Sequence, residues 1–121
     1  FLHQLFGFGP DTYGILTWDF RQDALDRYGV FYESAHNEYF QYLVTMGPLA
    51  LVSYLAFLGG TCVQMCKKWK ECAWILAPVL AVLCYGAQAV VNINLPIATP
   101  IMWAMLAIGL ALTREKAEQA E

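Results

Sequence analysis

The pattern of hydrophobic and charged positions divides the chain into a mixed first third and three apolar segments. The apolar segments, none of which contains a charged residue, are residues 47–66, 72–91 and 95–112. A bilayer core about 30 Å thick is crossed by about 20 helical residues, because each residue adds ~1.5 Å to a helix. The segments have 20, 20 and 18 residues, so each predicts a transmembrane helix. Buried helices of a soluble domain are the alternative, but in a domain this small they would keep polar faces, which these segments lack.

Composition supports the membrane interpretation. Of 121 residues, 59% are hydrophobic and 14% are charged. In soluble domains, about a quarter of the residues are charged. We therefore predict an all-α, polytopic membrane protein, with three transmembrane helices after an extracytoplasmic loop. The chain begins at Phe1 with no signal peptide before the loop. We expect an upstream part to complete a larger helical bundle and this segment alone to be inactive.

The orientation follows from the turn at residues 67–71, which contains Lys67, Lys68 and Lys70. Short basic loops stay in the cytoplasm. Residues 1–46 and the turn at 92–94 are then outside, and the tail 113–121 returns to the cytoplasm. The outer loop contains two basic and six acidic residues, in agreement with this orientation.

The outer loop has two parts. Between Leu5 and Gly14, three glycines with Pro10 and Asp11 predict turns. From about residue 34 we predict an amphipathic helix with Ser34 as its N-cap, running toward Gly47. Its apolar face consists of Tyr39, Phe40, Leu43 and Val44.

His36 is the candidate catalytic residue. In the first turn of the predicted helix, the positive end of the helix dipole would keep its imidazole neutral and able to accept a proton. The same helix start would offer N–H groups to an anion, and Arg21 and Arg27 could add charge-assisted hydrogen bonds. The alternative is that the histidine is a surface or capping residue and that the arginines are solvated or paired with nearby aspartates.

Three further polar residues, Gln88, Asn92 and Asn94, gather near the outer end of the second predicted span. We interpret them, with Asn37, as candidate substrate-binding residues.

No metal site or cofactor is predicted. The four cysteines, in or beside the first two spans, are expected to pack as small apolar side chains, and both histidines lie on the other side of the membrane. The Gly7-Phe8-Gly9 run is not a dinucleotide fingerprint, because Thr12 occupies the third glycine position.

The order of several short motifs resembles the O-antigen ligase and polymerase family of bacterial membrane glycosyltransferases. The motifs are GFGPDTYG, a loop of some twenty residues, SAHNEYFQYLVTMGPLALVSYL, and the late VVNINLPIATPIMWAMLAIGL. The family pattern has a Gly-x-Gly turn, Ala-His-Asn before an aromatic helix, a glycine opening a span and a late asparagine-proline segment. The resemblance covers nearly the whole chain.

This resemblance implies transfer of a glycan from an undecaprenyl diphosphate carrier to a hydroxyl of a glycan or lipid-glycan acceptor. The reaction would take place at the outer face of the bacterial cytoplasmic (inner) membrane, without a metal and without nucleic acid. It assigns His36 to the catalytic centre and arginines to the diphosphate, although Arg21 and Arg27 do not align individually with the family's arginines. The competing hypothesis is a non-catalytic scaffold or transport subunit for envelope polysaccharide.

Overall fold

The structure, a computed structural model, describes residues 2–31 and 34–118, and these residues form helices without any strand. The predicted all-α class is therefore confirmed. Seven α-helices occur in the described residues, and one 3-10 turn, Ala73–Ile75, precedes the sixth. The helices are α1 (Leu2–Phe6), α2 (Tyr13–Leu16), α3 (Trp18–Tyr28), α4 (Glu38–Thr45), α5 (Gly47–Lys67), α6 (Leu76–Gln88) and α7 (Ala98–Glu118).

The chain divides into two compact units. The first comprises Phe1–Ser53 and Ala89–Ile93, and the second comprises Tyr54–Gln88 and Asn94–Glu121.

In the first unit the Gly-x-Gly segment binds the end of α4. The N–H groups of Phe8 and Gly9 donate to the carbonyls of Val44 and Thr45, each at 2.9 Å. These carbonyls belong to the last turn of a helix, where no intrahelical donor is available. Gly7 is buried with φ of +72°, and a Cβ there would lie 2.6 Å from backbone atoms of Thr45 and Gly47. The predicted turn is thus also a packing contact that only glycine permits.

The helix predicted from residue 34 begins later. Asn37, in extended conformation, is the N-cap of α4, and its side-chain oxygen accepts from the N–H of Phe40 at 2.9 Å. The prediction that Ser34 is the cap was wrong, because asparagine is at least as good a cap and lies directly before the apolar run.

The second unit has a core between α5, α6 and α7. Its most buried side chains are Met65, Ile75, Val79, Met102 and Leu106. Gly109 allows close packing of α7, because a Cβ there would overlap the sulfur of Met65 and lie 3.1 Å from the Pro78 ring.

The three apolar segments match helices to different degrees. Gly47–Lys67 agrees with the predicted span 47–66. The predicted continuous helix 72–91 was wrong: Cys72 is extended, a 3-10 turn follows, and α6 covers only Leu76–Gln88. Proline inside a helix clashes with the carbonyl four residues earlier, whereas this start puts Pro78 in the first turn, where it is tolerated.

The third helix is shifted toward the C-terminus. It begins at Ala98 rather than at residue 95 and continues to Glu118, which makes most of the predicted tail 113–121 helical; residues 119–121 lie outside the described part. Pro100 again falls in the first helical turn.

One helix in the described residues, Gly47–Lys67, is long and apolar enough to cross a membrane. Only 22% of its most apolar window is buried, whereas the core helix of a soluble protein is mostly buried.

Candidate functional site

A cleft of about 400 Å³ lies in the first unit. One wall is a single face of α3, because its residues recur every three or four positions along the helix. The other wall is the segment that leads into α4, and Tyr13 of α2 completes the lining. The lining residues are Tyr13, Thr17, Phe20, Arg21, Ala24, Tyr28, Ser34, Ala35 and His36.

Among the described residues that line this cleft, Arg21 is the only arginine or lysine. Its guanidinium carbon lies 3.9 Å from the centroid of the Phe31 ring, in a cation–π contact. Its Nε is buried and has no hydrogen-bond partner among the described residues. Arg21 therefore places a positive charge at the wall of the cleft that His36 also lines.

His36 is exposed and lies two residues before α4, with φ of +47°. The prediction that it occupies the first helical turn was wrong. The field of a helix terminus decays within the first turn, so His36 lies outside the turn in which the dipole was expected to act on it. The left-handed backbone is uncommon for a residue with a side chain, and histidine is among those that adopt it most often.

The predicted anion site at the start of α4 is also contradicted. The N–H of Phe40 is capped by Asn37, and the N–H of Glu38 donates to the carbonyl of Ala89 at 2.9 Å. Two of the N–H groups that would hold an anion are occupied. Asn37, predicted to bind substrate, uses its side-chain oxygen as a helix cap.

Glu38 is a feature that sequence analysis missed. Its side chain is 1% exposed and lies in the first turn of α4, where the helix dipole stabilises a carboxylate. Burial, and to a lesser degree the charge of Glu38, raise the pKa of the Tyr39 phenol.

Arg27 does not line the cleft. Its Nε donates to Asp23 at 2.7 Å, one helical turn away, and both side chains are exposed. This arginine follows the alternative of local pairing with an aspartate, and such exposed pairs contribute little to stability.

The three polar residues near the end of the second apolar segment are divided between the two units. Asn92 belongs to the first unit and its side-chain oxygen accepts from the N–H of Ile93. Gln88 and Asn94 belong to the second unit. There, Gln88 lines a groove of about 250 Å³ between α6 and α7, together with Tyr85 and Met102.

Asn94 takes part in a chain of side-chain hydrogen bonds. The Thr99 hydroxyl donates to Asn94 at 2.7 Å and lies 2.8 Å from the Tyr85 hydroxyl. Because the single Thr99 proton is directed to Asn94, Tyr85 is the donor to Thr99. Thr99 therefore connects the start of α7 to α6, and Asn94 is the acceptor at the end of this chain of hydrogen bonds.

Sequence analysis missed the helical wall of the cleft, since it assigned no helix to residues 15–33. One signal was present: Gly29, which ends α3 in the left-handed conformation typical of a C-terminal glycine. Among the residues whose side chains are described, no group of three or more His, Cys, Asp or Glu could hold a metal.

Comparisons with protein-family models, curated proteins and solved structures give no match to this chain.

Proposed function

We propose that this chain is part of a membrane glycosyltransferase that transfers a glycan from an undecaprenyl diphosphate carrier to an acceptor hydroxyl, as in O-antigen ligases and polymerases. The observation that carries the proposal is the cleft that His36 and Arg21 both line. The motif order in the sequence resembles that family, and the cleft is lined by two residues to which the proposal assigns roles.

The division of roles follows from charge. A diphosphate leaving group develops negative charge as the sugar departs, and a fixed guanidinium stabilises that charge. Arg21, which lines the cleft, suits this role. His36 is assigned to the acceptor, whose hydroxyl proton an imidazole can accept. Arg27 has no part in this assignment, because Asp23 already binds it.

The membrane frame of the proposal is three spans, corresponding to the apolar segments around α5, α6 and α7. It is supported by the absence of charge from these segments and by the length of α5. Residues 1–46 would then face the outer side of a bacterial cytoplasmic membrane, where carrier-linked glycans are joined.

The first test compares arginines. In the full-length protein, Arg21→Ala should reduce glycan transfer at least tenfold, since one charge-assisted contact to a transition state contributes more than ~1.4 kcal/mol. Arg27→Ala is the matched control and should retain near-normal activity. Equal loss in both variants, at equal expression, would contradict the assignment of Arg21.

The second test concerns His36. His36→Asn is preferable to alanine, because asparagine tolerates the left-handed backbone while removing the imidazole. We expect surface polysaccharide to be lost at normal protein abundance. Normal polysaccharide in this variant would reject the catalytic role and favour a scaffold or transport subunit.

Deletion of the gene distinguishes a ligase from a polymerase. Deletion of a polymerase should leave single repeat units, and deletion of a ligase should leave full-length chains on the carrier.

A further inference from the structure

Arg21 is held by two residues that are not themselves among those lining the cleft. Phe31 lies under one face of the guanidinium, with 3.9 Å between the guanidinium carbon and the ring centroid. Gly14, in α2, lies so close that a Cβ would overlap Nη1 and come within 3.3 Å of the guanidinium carbon. Both residues therefore contact the cleft only through Arg21.

We propose that Gly14 and Phe31 are positioning residues that fix the Arg21 guanidinium at the cleft wall, where it binds an anionic oxygen of the substrate. The inference rests on the proposed function for the identity of that anion. The positioning itself rests on the contacts alone.

A free arginine side chain has many rotamers, and ordering it on ligand binding reduces affinity. A guanidinium stacked on an aromatic face keeps its in-plane N–H groups available for hydrogen bonds. Arg21 lies over the Phe31 ring and against the backbone of Gly14. Because of these two contacts, its guanidinium is already ordered before the ligand binds.

Arg21 can lie this close to α2 because Gly14 has no side chain. This glycine lies in α2, and no positive φ is recorded for it. The backbone would therefore accept alanine, and the methyl group would displace the guanidinium instead. Gly14→Ala thus changes the position of Arg21 without removing any charge.

Chemical modification of arginine measures the positioning directly. Full-length protein in lipid nanodiscs is treated with phenylglyoxal, and modification of Arg21 is measured by mass spectrometry relative to that of Arg27 in the same molecule. Loss of a cation–π contact should raise the relative rate for Phe31→Leu about two- to fivefold. Gly14→Ala should also raise the relative rate of Arg21 modification. Phe31→Tyr keeps an aromatic ring and should show the wild-type rate.

Matched controls are available within the chain. Gly59→Ala places a methyl group in open space, and Phe40→Leu removes an exposed ring on α4; neither should change the Arg21 rate. If Gly14→Ala fails to fold, Phe31→Leu alone decides. An unchanged relative rate in folded Phe31→Leu would overturn the inference.

Inorganic pyrophosphate then tests the anion as a probe. It should protect Arg21 but not Arg27 in the wild type, and Phe31→Leu should need a severalfold higher concentration for equal protection. If pyrophosphate fails to protect wild-type Arg21 while Phe31→Leu still raises its modification rate, the positioning stands and the proposed contact between Arg21 and the carrier diphosphate is rejected.

Discussion

Gly7 shows how a single residue determines the packing of the first unit. Its φ is +72°, and a Cβ would lie 2.6 Å from the backbone of Thr45 and Gly47. We expect Gly7→Ala to lower the free energy of unfolding by roughly 3 kcal/mol or more, because left-handed strain of ~1–2 kcal/mol adds to overpacking. Thermal unfolding of the purified protein measures the loss.

Gly29 provides the control for that substitution. Its φ is +67°, but a Cβ there would meet open space. Gly29→Ala should therefore lower the free energy of unfolding by only the left-handed strain of about 1–2 kcal/mol. Equal destabilisation by the two variants would show that the contact of Gly7 with Thr45 and Gly47 contributes nothing.

Asn37 is the second residue-scale prediction. Asn37→Ala removes the acceptor of the Phe40 N–H, so we expect a loss of ~1 kcal/mol of stability, typical of helix caps. Asn37→Asp keeps an acceptor and should be near wild type in thermal unfolding. If Asn37→Asp were as unstable as Asn37→Ala, capping would not be the role of this side chain.

At the scale of helices, hydrophobicity predicts where the apolar segments lie but not where each helix begins. Gly47–Lys67 follows the predicted span because the charge-free run starts with Gly47-Pro48 and ends at lysines. In the next segment the helix starts only at Leu76, two residues before Pro78. Proline chemistry could have predicted this delay; the extended Cys72 and the hydrogen bond from Glu38 to Ala89 could not, since they arise from tertiary contacts.

The candidate site was predictable to a similar extent. The sequence identified His36 and Arg21 as candidate site residues from their charge and position. Their shared cleft could not be predicted, because it depends on α3 and on the left-handed backbone at His36. The choice of Arg21 over Arg27 depends on which face of α3 each residue occupies. That face cannot be assigned without the helix.

The hydrogen-bonded chain between α6 and α7 gives a prediction at the same scale. Thr99→Val removes both the hydrogen bond to Asn94 and the acceptor of Tyr85, and it should lower the free energy of unfolding by about 1 kcal/mol, the net contribution of a typical hydrogen bond. Thr61→Val is the control, because the Thr61 hydroxyl bonds only carbonyls of its own helix, Phe57 and Leu58. A double-mutant cycle with Tyr85→Phe should show coupling; additive losses would contradict the chain.

At the scale of the whole molecule, the shortness of α6 bears on the proposed membrane frame. Together with its 3-10 turn it covers Ala73–Gln88, about 24 Å at 1.5 Å per residue, against a bilayer core of about 30 Å. Non-helical backbone at membrane depth is tolerated only where protein or a polar cavity surrounds it. The polar side chains of Asn92 and Asn94 in the following turn fit such a place, so we expect further helices of the proposed bundle to cover this end.

Membrane sidedness tests this frame. Because Lys67, Lys68 and Lys70 assign their turn to the cytoplasm, a thiol reagent that cannot cross membranes should label a cysteine placed at Ser34 in intact cells. It should label native Cys72 only after the cells are opened. Both measurements use full-length protein in which the other cysteines are replaced by serine or alanine, and labelling in opened cells shows that each thiol is reactive. The reverse pattern would place the His36 cleft in the cytoplasm, away from any outward-facing carrier-linked glycan, and the glycosyltransferase proposal would then be rejected with it.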